Sequence, residues 1–174
     1  LNRLYVWQNL GLFTGHLPDI SEHRLGSAAL CLGIDKPFRL LESESNVWQE
    51  CRSVLVPPGC LNELQIGGAV MAILFLEPES PDYLTIQNAM LEGEWQCLYG
   101  LVHETEALAA LHEIWERQLD ATTTHALLNR LIPRSAAEER QQSLDHRIQR
   151  VIRLMKEDLT HSYSMTELAE YVNL

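Results

Sequence analysis

The chain has 174 residues, 46% of them hydrophobic and 21% charged, with a formal net charge of −11. That length supports one moderate domain with an appendage and a real hydrophobic core. No apolar run approaches the roughly 20 residues that span a bilayer, and the acidity argues against a nucleic-acid surface spread over the whole chain. Lys and Arg against Asp and Glu number 5 to 12 over residues 1–102, 4 to 7 over 103–142 and 4 to 5 over 143–174. Any contact with DNA is therefore expected from the nearly neutral C-terminal stretch.

In chain order, the first part reads as β. Short apolar runs fall at Leu4–Trp7, Gly11–Thr14, Leu25–Ile34, Phe38–Leu41, Val47–Val56 and Ala69–Leu76. Turn residues separate them at His16-Leu-Pro-Asp19, Asp35-Lys-Pro37, Glu42–Asn46, Pro57-Pro-Gly59 and Gly67-Gly68. The spacing predicts a sandwich or barrel and leaves no room for helical crossovers. On the long strand two sets alternate, Leu25, Ser27, Ala29 and Cys31 or Arg24, Gly26, Ala28, Leu30 and Leu32, and either can point inward. Cys31, Cys51, Cys60 and Cys97 lie far apart with no C-x-x-C pair. They read as reduced thiols of a cytoplasmic protein.

After Pro81 the apolar positions recur at helical spacing, from about residue 84 to 131. Over His103–Leu119, Ala107, Leu108, Leu111, Ile114 and Trp115 share one face. Asp120 offers an N-cap to a second helix carrying Leu127, Leu128 and Leu131, which ends before Pro133. Residues 134–143 carry no large apolar side chain and read as a linker. Leu144, Ile148, Val151, Ile152, Met155 and Leu159 then mark an amphipathic helix. Ser164-Met-Thr-Glu167 is a capping box opening another helix with Leu168, Ala169 and Val172 inward.

The segment Arg147–Leu174, ending in SMTELAEYVNL, resembles the opening of the AraC/XylS-type DNA-binding domain. The resemblance implies a basic helix leading into the first helix of a helix-turn-helix, with the recognition helix beyond Leu174. Arg147, Arg150, Arg153 and Lys156 follow one another at i, i+3 spacing and are the expected contacts to the DNA backbone. The first hundred residues resemble the cupin-type sensory barrel of such regulators, through Ser21-Glu-His-Arg-Leu25 and Val54-Leu-Val-Pro-Pro-Gly59 followed by Cys60-Leu-Asn62. Metal-binding cupins carry His-x-His and a later His. Here His23 stands alone and Asn62 occupies the later position, and a neutral amide is a poor metal ligand. No metal, cofactor or catalytic residue is expected.

The sequence thus points to an α+β chain: a cupin-like, effector-sensing β-barrel over 1–82, a helical dimerisation region over 83–133, a linker over 134–143 and a partial helix-turn-helix domain over 144–174. The expected function is a homodimeric, ligand-responsive bacterial transcription regulator that binds DNA. His23, Trp48, Cys60 and Asn62 are the candidate effector contacts, and Leu108, Leu111, Ile114 and Trp115 the candidate dimer contacts. Two competing readings are a small metal-independent cupin enzyme, using Glu22, Glu50 or Glu63 as acid or base, and a plain dimerisation module with no effector.

Overall fold

The computed structural model describes residues 1–7, 10–78, 80–91, 93, 95–132, 151, 154–155 and 163–171. They fall into two compact units, Leu1–Arg134 and Ser135–Leu174. Among its described residues the first unit contains ten strands: β1 (Arg3–Val6), β2 (Leu10–His16), β3 (Ile20–His23), β4 (Ala28–Gly33), β5 (Phe38–Glu42), β6 (Val47–Cys51), β7 (Ser53–Val56), β8 (Asn62–Gln65), β9 (Val70–Leu76) and β10 (Leu98–Tyr99). Three helices accompany them: α1 (Pro81–Asn88), α2 (Glu104–Arg117) and α3 (Ala121–Leu131).

The strands form two antiparallel sheets, one of six strands in the order β1-β2-β9-β4-β7-β10 and one of four in the order β3-β8-β5-β6. Neither closes on itself, which corrects the expected cupin-like barrel: the fold is α+β with two open sheets. The run Leu25–Ile34 becomes a strand only at Ala28, in the large sheet, while Ser21–His23 before it belongs to the small sheet. One apolar run that reads as a single strand is in fact broken where the chain passes from one sheet to the other. The run Val47–Val56 divides at Arg52, leaving β6 in the small sheet and β7 in the large. Arg52 holds that crossing by donating from Nε to the Gly33 carbonyl (2.9 Å) and from Nη2 to that of Ile34 (2.8 Å).

The centre of the large sheet is buried on both faces, with every residue of β4 and β7 buried. Alternation sends Ala28, Leu30 and Leu32 to one face, where they meet Leu111, Ile114 and Leu128 of the helices. Ala29 and Cys31 go to the other, together with Leu40 and Leu64 of the small sheet. Each fully buried Leu or Ile on these faces contributes about 1.5–3 kcal/mol.

The helices start and stop for local reasons. Ser80 caps α1, its side chain accepting from Tyr83 N–H, with Pro81 in the first turn. Asp120 caps α3 by accepting from the N–H groups of Thr122 (2.9 Å) and Thr123 (3.0 Å). At the end of α2, Gln118 takes a left-handed conformation (φ 48°). The orphaned carbonyls there are met from β1: Arg3 donates to Gln118 O (2.7 Å) and Leu119 O (3.2 Å), and the Tyr5 hydroxyl to Leu119 O (2.8 Å). Strand β10 lies inside the region expected to be helical. At two residues it is too short for any alternation to register.

In the second unit the described helix is α4 (Met165–Tyr171). Its capping box is formed: Ser164 N–H donates to Glu167 Oε2 (2.7 Å), and Glu167 N–H donates to Ser164 Oγ (3.2 Å). The linker 134–143 and the basic row Arg147, Arg150, Arg153 and Lys156 lie outside the described residues. No helix among the described residues is long and apolar enough to cross a membrane.

Candidate functional site: a cavity between the sheets

Between the two sheets lies a cavity of about 390 Å³. The large sheet supplies Phe13, Ala29, Cys31 and Ile73 to its wall, and the small sheet supplies Ile20 and Leu64. The hollow follows from side-chain size. Where Leu30 and Leu32 fill the helix-covered face of β4, Ala29 and Cys31 leave space on this one. None of the described residues lining it is Asp, Glu, Lys or Arg. Its volume falls within the roughly 300–1,000 Å³ of small-molecule sites.

Two of the four expected effector contacts, His23 and Asn62, line this cavity, and they are direct cross-strand partners on β3 and β8. His23 Nδ1 stands 3.1 Å from the Ser21 carbonyl oxygen. A carbonyl only accepts, so Nδ1 carries the proton and Nε2 remains for another partner. Asn62 is buried and donates from Nδ2 to the Cys60 carbonyl (3.0 Å), leaving its Oδ1 as a possible acceptor. Leu25, Ala29 and Cys31 line the cavity, which resolves the two-way alternation of the long strand.

Trp48 is not among the lining residues. It sits half-buried on β6 opposite Leu41, with the Arg39 guanidinium 5.4 Å from its ring centroid. Cys60 is buried away from the cavity, its Sγ 3.8 Å from that of Cys97. Glu42, Cys60 and Cys97 form a buried cluster whose ligand atoms all lie within 4.8 Å of one another, the described residues that could hold a metal. Sequence reading passed over it. Glu42 looked like a turn residue, and the two cysteines are 37 positions apart.

On α2, Leu111 and Ile114 are 2% and 0% exposed, packed within the chain's own core. Leu108 and Trp115 are only partly buried, and Trp115 meets His16 edge-on with centroids 5.8 Å apart.

The thiols are held protonated by their surroundings. Burial pushes Cys31 up to about 12. Burial, then the neighbouring Cys31, Glu104 and Glu50, does the same for Cys51. Neither is a reactive nucleophile at neutral pH.

No protein-family model matches the chain. No curated protein matches it either. Among solved structures, apo ToxT from Vibrio cholerae strain SCE256 superposes with a TM-score of 0.57 at 9% identity, covering 97% of this chain and 72% of ToxT. ToxT from V. cholerae O395 matches at 0.50 and 8% identity, covering 95% and 70%. A ToxT structure bound to (E)-4-(8-methylnaphthalen-1-yl)but-3-enoic acid matches at 0.50 and 10% identity, covering 96% and 72%. At this identity the likeness shows a shared fold with ToxT.

Proposed function

We propose that the protein is a ligand-responsive, non-enzymatic transcription regulator. In this reading the two-sheet unit senses a small apolar molecule, and the C-terminal part binds DNA through a helix-turn-helix. The observation that carries it is the cavity, an uncharged space of about 390 Å³ walled by both sheets, with His23 and Asn62 as its polar end. Likeness in fold to ToxT supports the regulatory part. The ligand in one ToxT structure, an aromatic hydrocarbon body with one carboxylic acid, is the size and polarity class that such a cavity accommodates. The formed capping box at Ser164 and Glu167 is the start expected of a Ser-x-x-Glu-Leu-Ala helix.

Two subunits pair, in the same reading, through what α2 leaves accessible. Leu111 and Ile114 are consumed by the sheet, so Leu108 and Trp115 are its apolar anchors for a partner.

The test is selection of duplexes from a random pool by the protein as its own gene encodes it, with and without a naphthyl-substituted short-chain acid. The proposal expects one enriched sequence, with an occupancy that the acid changes several-fold. A protein that enriches no sequence in either condition would refute it.

A further inference from the structure

Glu42 ends β5 with only 3% of its surface exposed. Its carboxylate accepts from the backbone N–H groups of Gln96 (3.0 Å) and Cys97 (3.3 Å) and from the Tyr99 hydroxyl (3.2 Å). Among the described residues no Lys, Arg or His forms an ion pair with it. Buried carboxylates are ordinarily paired with a cation or bound to a metal, because removing a bare charge from water is expensive.

Beside it stand two buried thiols, with Cys60 Sγ and Cys97 Sγ 3.8 Å apart. In a tetrahedral zinc site with Zn–S bonds of about 2.3 Å, two thiolate sulfurs stand about 3.8 Å apart. A disulfide would need about 2.05 Å. The sulfurs therefore already have the separation of two ligands on one ion, and a carboxylate oxygen lies within reach of both.

We propose that Glu42, Cys60 and Cys97 bind one thiophilic divalent cation, zinc, with a fourth position beside the Tyr99 hydroxyl. The ion takes two thiolates and one carboxylate, and the two thiol protons pass to solvent as it binds. The site carries a net charge of −1 when filled, and the same three donors that now serve Glu42 stabilise it. Glu42 ends β5 of the small sheet, Cys60 lies in the connection from β7 to β8, and Cys97 leads into β10 of the large sheet. A bound ion ties the two sheets together at that end. The Asn62 amide on the Cys60 carbonyl places the site one hydrogen bond from the cavity.

The test is zinc titration of the reduced, chelator-treated protein against a chromophoric chelator, followed by cobalt substitution. One zinc per chain is expected, with a thiolate-to-cobalt charge-transfer band in the near ultraviolet. Cys60→Ser and Cys97→Ser should each weaken uptake and reduce that band, and the double variant should abolish it. Glu42→Gln should weaken uptake while keeping the band, and Cys51→Ser should change neither. Wild-type protein that takes up no stoichiometric zinc and shows no cobalt–thiolate band overturns the proposal, whether or not the cysteine variants fold. So does a folded Cys60→Ser/Cys97→Ser protein that binds zinc as the wild type does.

Discussion

The two faces of strand β4 are built from neighbouring residues and do opposite things. Ala28, Leu30 and Leu32 close against α2 and α3 with residual exposures of 0%, 3% and 1%. Ala29 and Cys31 are as dry, yet they border an open volume. A shift of one residue exchanges a packed interface for a hollow one, because successive side chains point to opposite sides of the sheet. The helix-covered face holds the fold, and the face with small side chains is free to hold a guest.

The largest effect expected of any test falls on the packed face. Leu111→Ala removes a side chain sealed between α2 and the sheet, and should lower unfolding free energy by about 2–5 kcal/mol in chemical denaturation. If Leu111 instead faced a partner subunit, the same change would dissociate a dimer and leave the monomer's stability intact. Sedimentation beside denaturation separates the two.

The hollow face has a smaller, pH-dependent signature. Cys31 ionises at 9.0 in an unfolded chain and near 12 when buried. Its folded pKa is raised, so its contribution is fully present below pH 9.0 and is lost as pH climbs towards 12. That loss should be on the order of 1 kcal/mol by about pH 10. Alkaline denaturation curves of Cys31→Ala should lack this component.

Smaller again is the effect at the cap of α3. Hydrogen bonds from Thr123 and then Thr122 hold the Asp120 carboxyl below its ordinary 3.8. Its contribution is present above 3.8 and fades as pH falls through the lowered value. Asp120→Ala should lower Tm modestly at neutral pH and remove that acid-side slope, whereas Asp120→Asn should keep the cap. At the least disruptive end, Leu108→Asp on the outer part of α2 should leave circular dichroism unchanged and shift a dimer to monomer. An unchanged oligomeric state would remove that helix from any interface.

Much of this architecture was legible because alternation and helix periodicity are local. The strands of the six apolar runs, the α2 stripe, the Asp120 cap and the capping box at Ser164 announce themselves within a few residues, whereas β3, β8 and β10, short and with little apolar pattern, fall in none of those runs. The sheet crossings do not announce themselves. Val47–Val56 is continuously strand-like, and only the partners of Arg52 show that the chain changes sheets there. Closure was illegible for the same reason, since the pattern of a strand is alike in a barrel and in two open sheets. Of the site, His23 and Asn62 stood out as polar residues among apolar ones, while Trp48 was attractive by type and is placed elsewhere. The Glu42 cluster was invisible because its members come together only in three dimensions, and a search for histidine ligands had no reason to meet it.

Whether the hollow between the sheets binds a guest is read most directly by fluorescence titration with a naphthalene-based acid, on the wild type and on Ala29→Phe. A phenyl ring at position 29 projects from the hollow face into the space bordered by Phe13 and Ile73. Saturable binding of one molecule per wild-type chain is expected, with at least about a tenfold loss in an Ala29→Phe protein that still melts cooperatively. Equal binding by both, or no binding by the wild type, would contradict it.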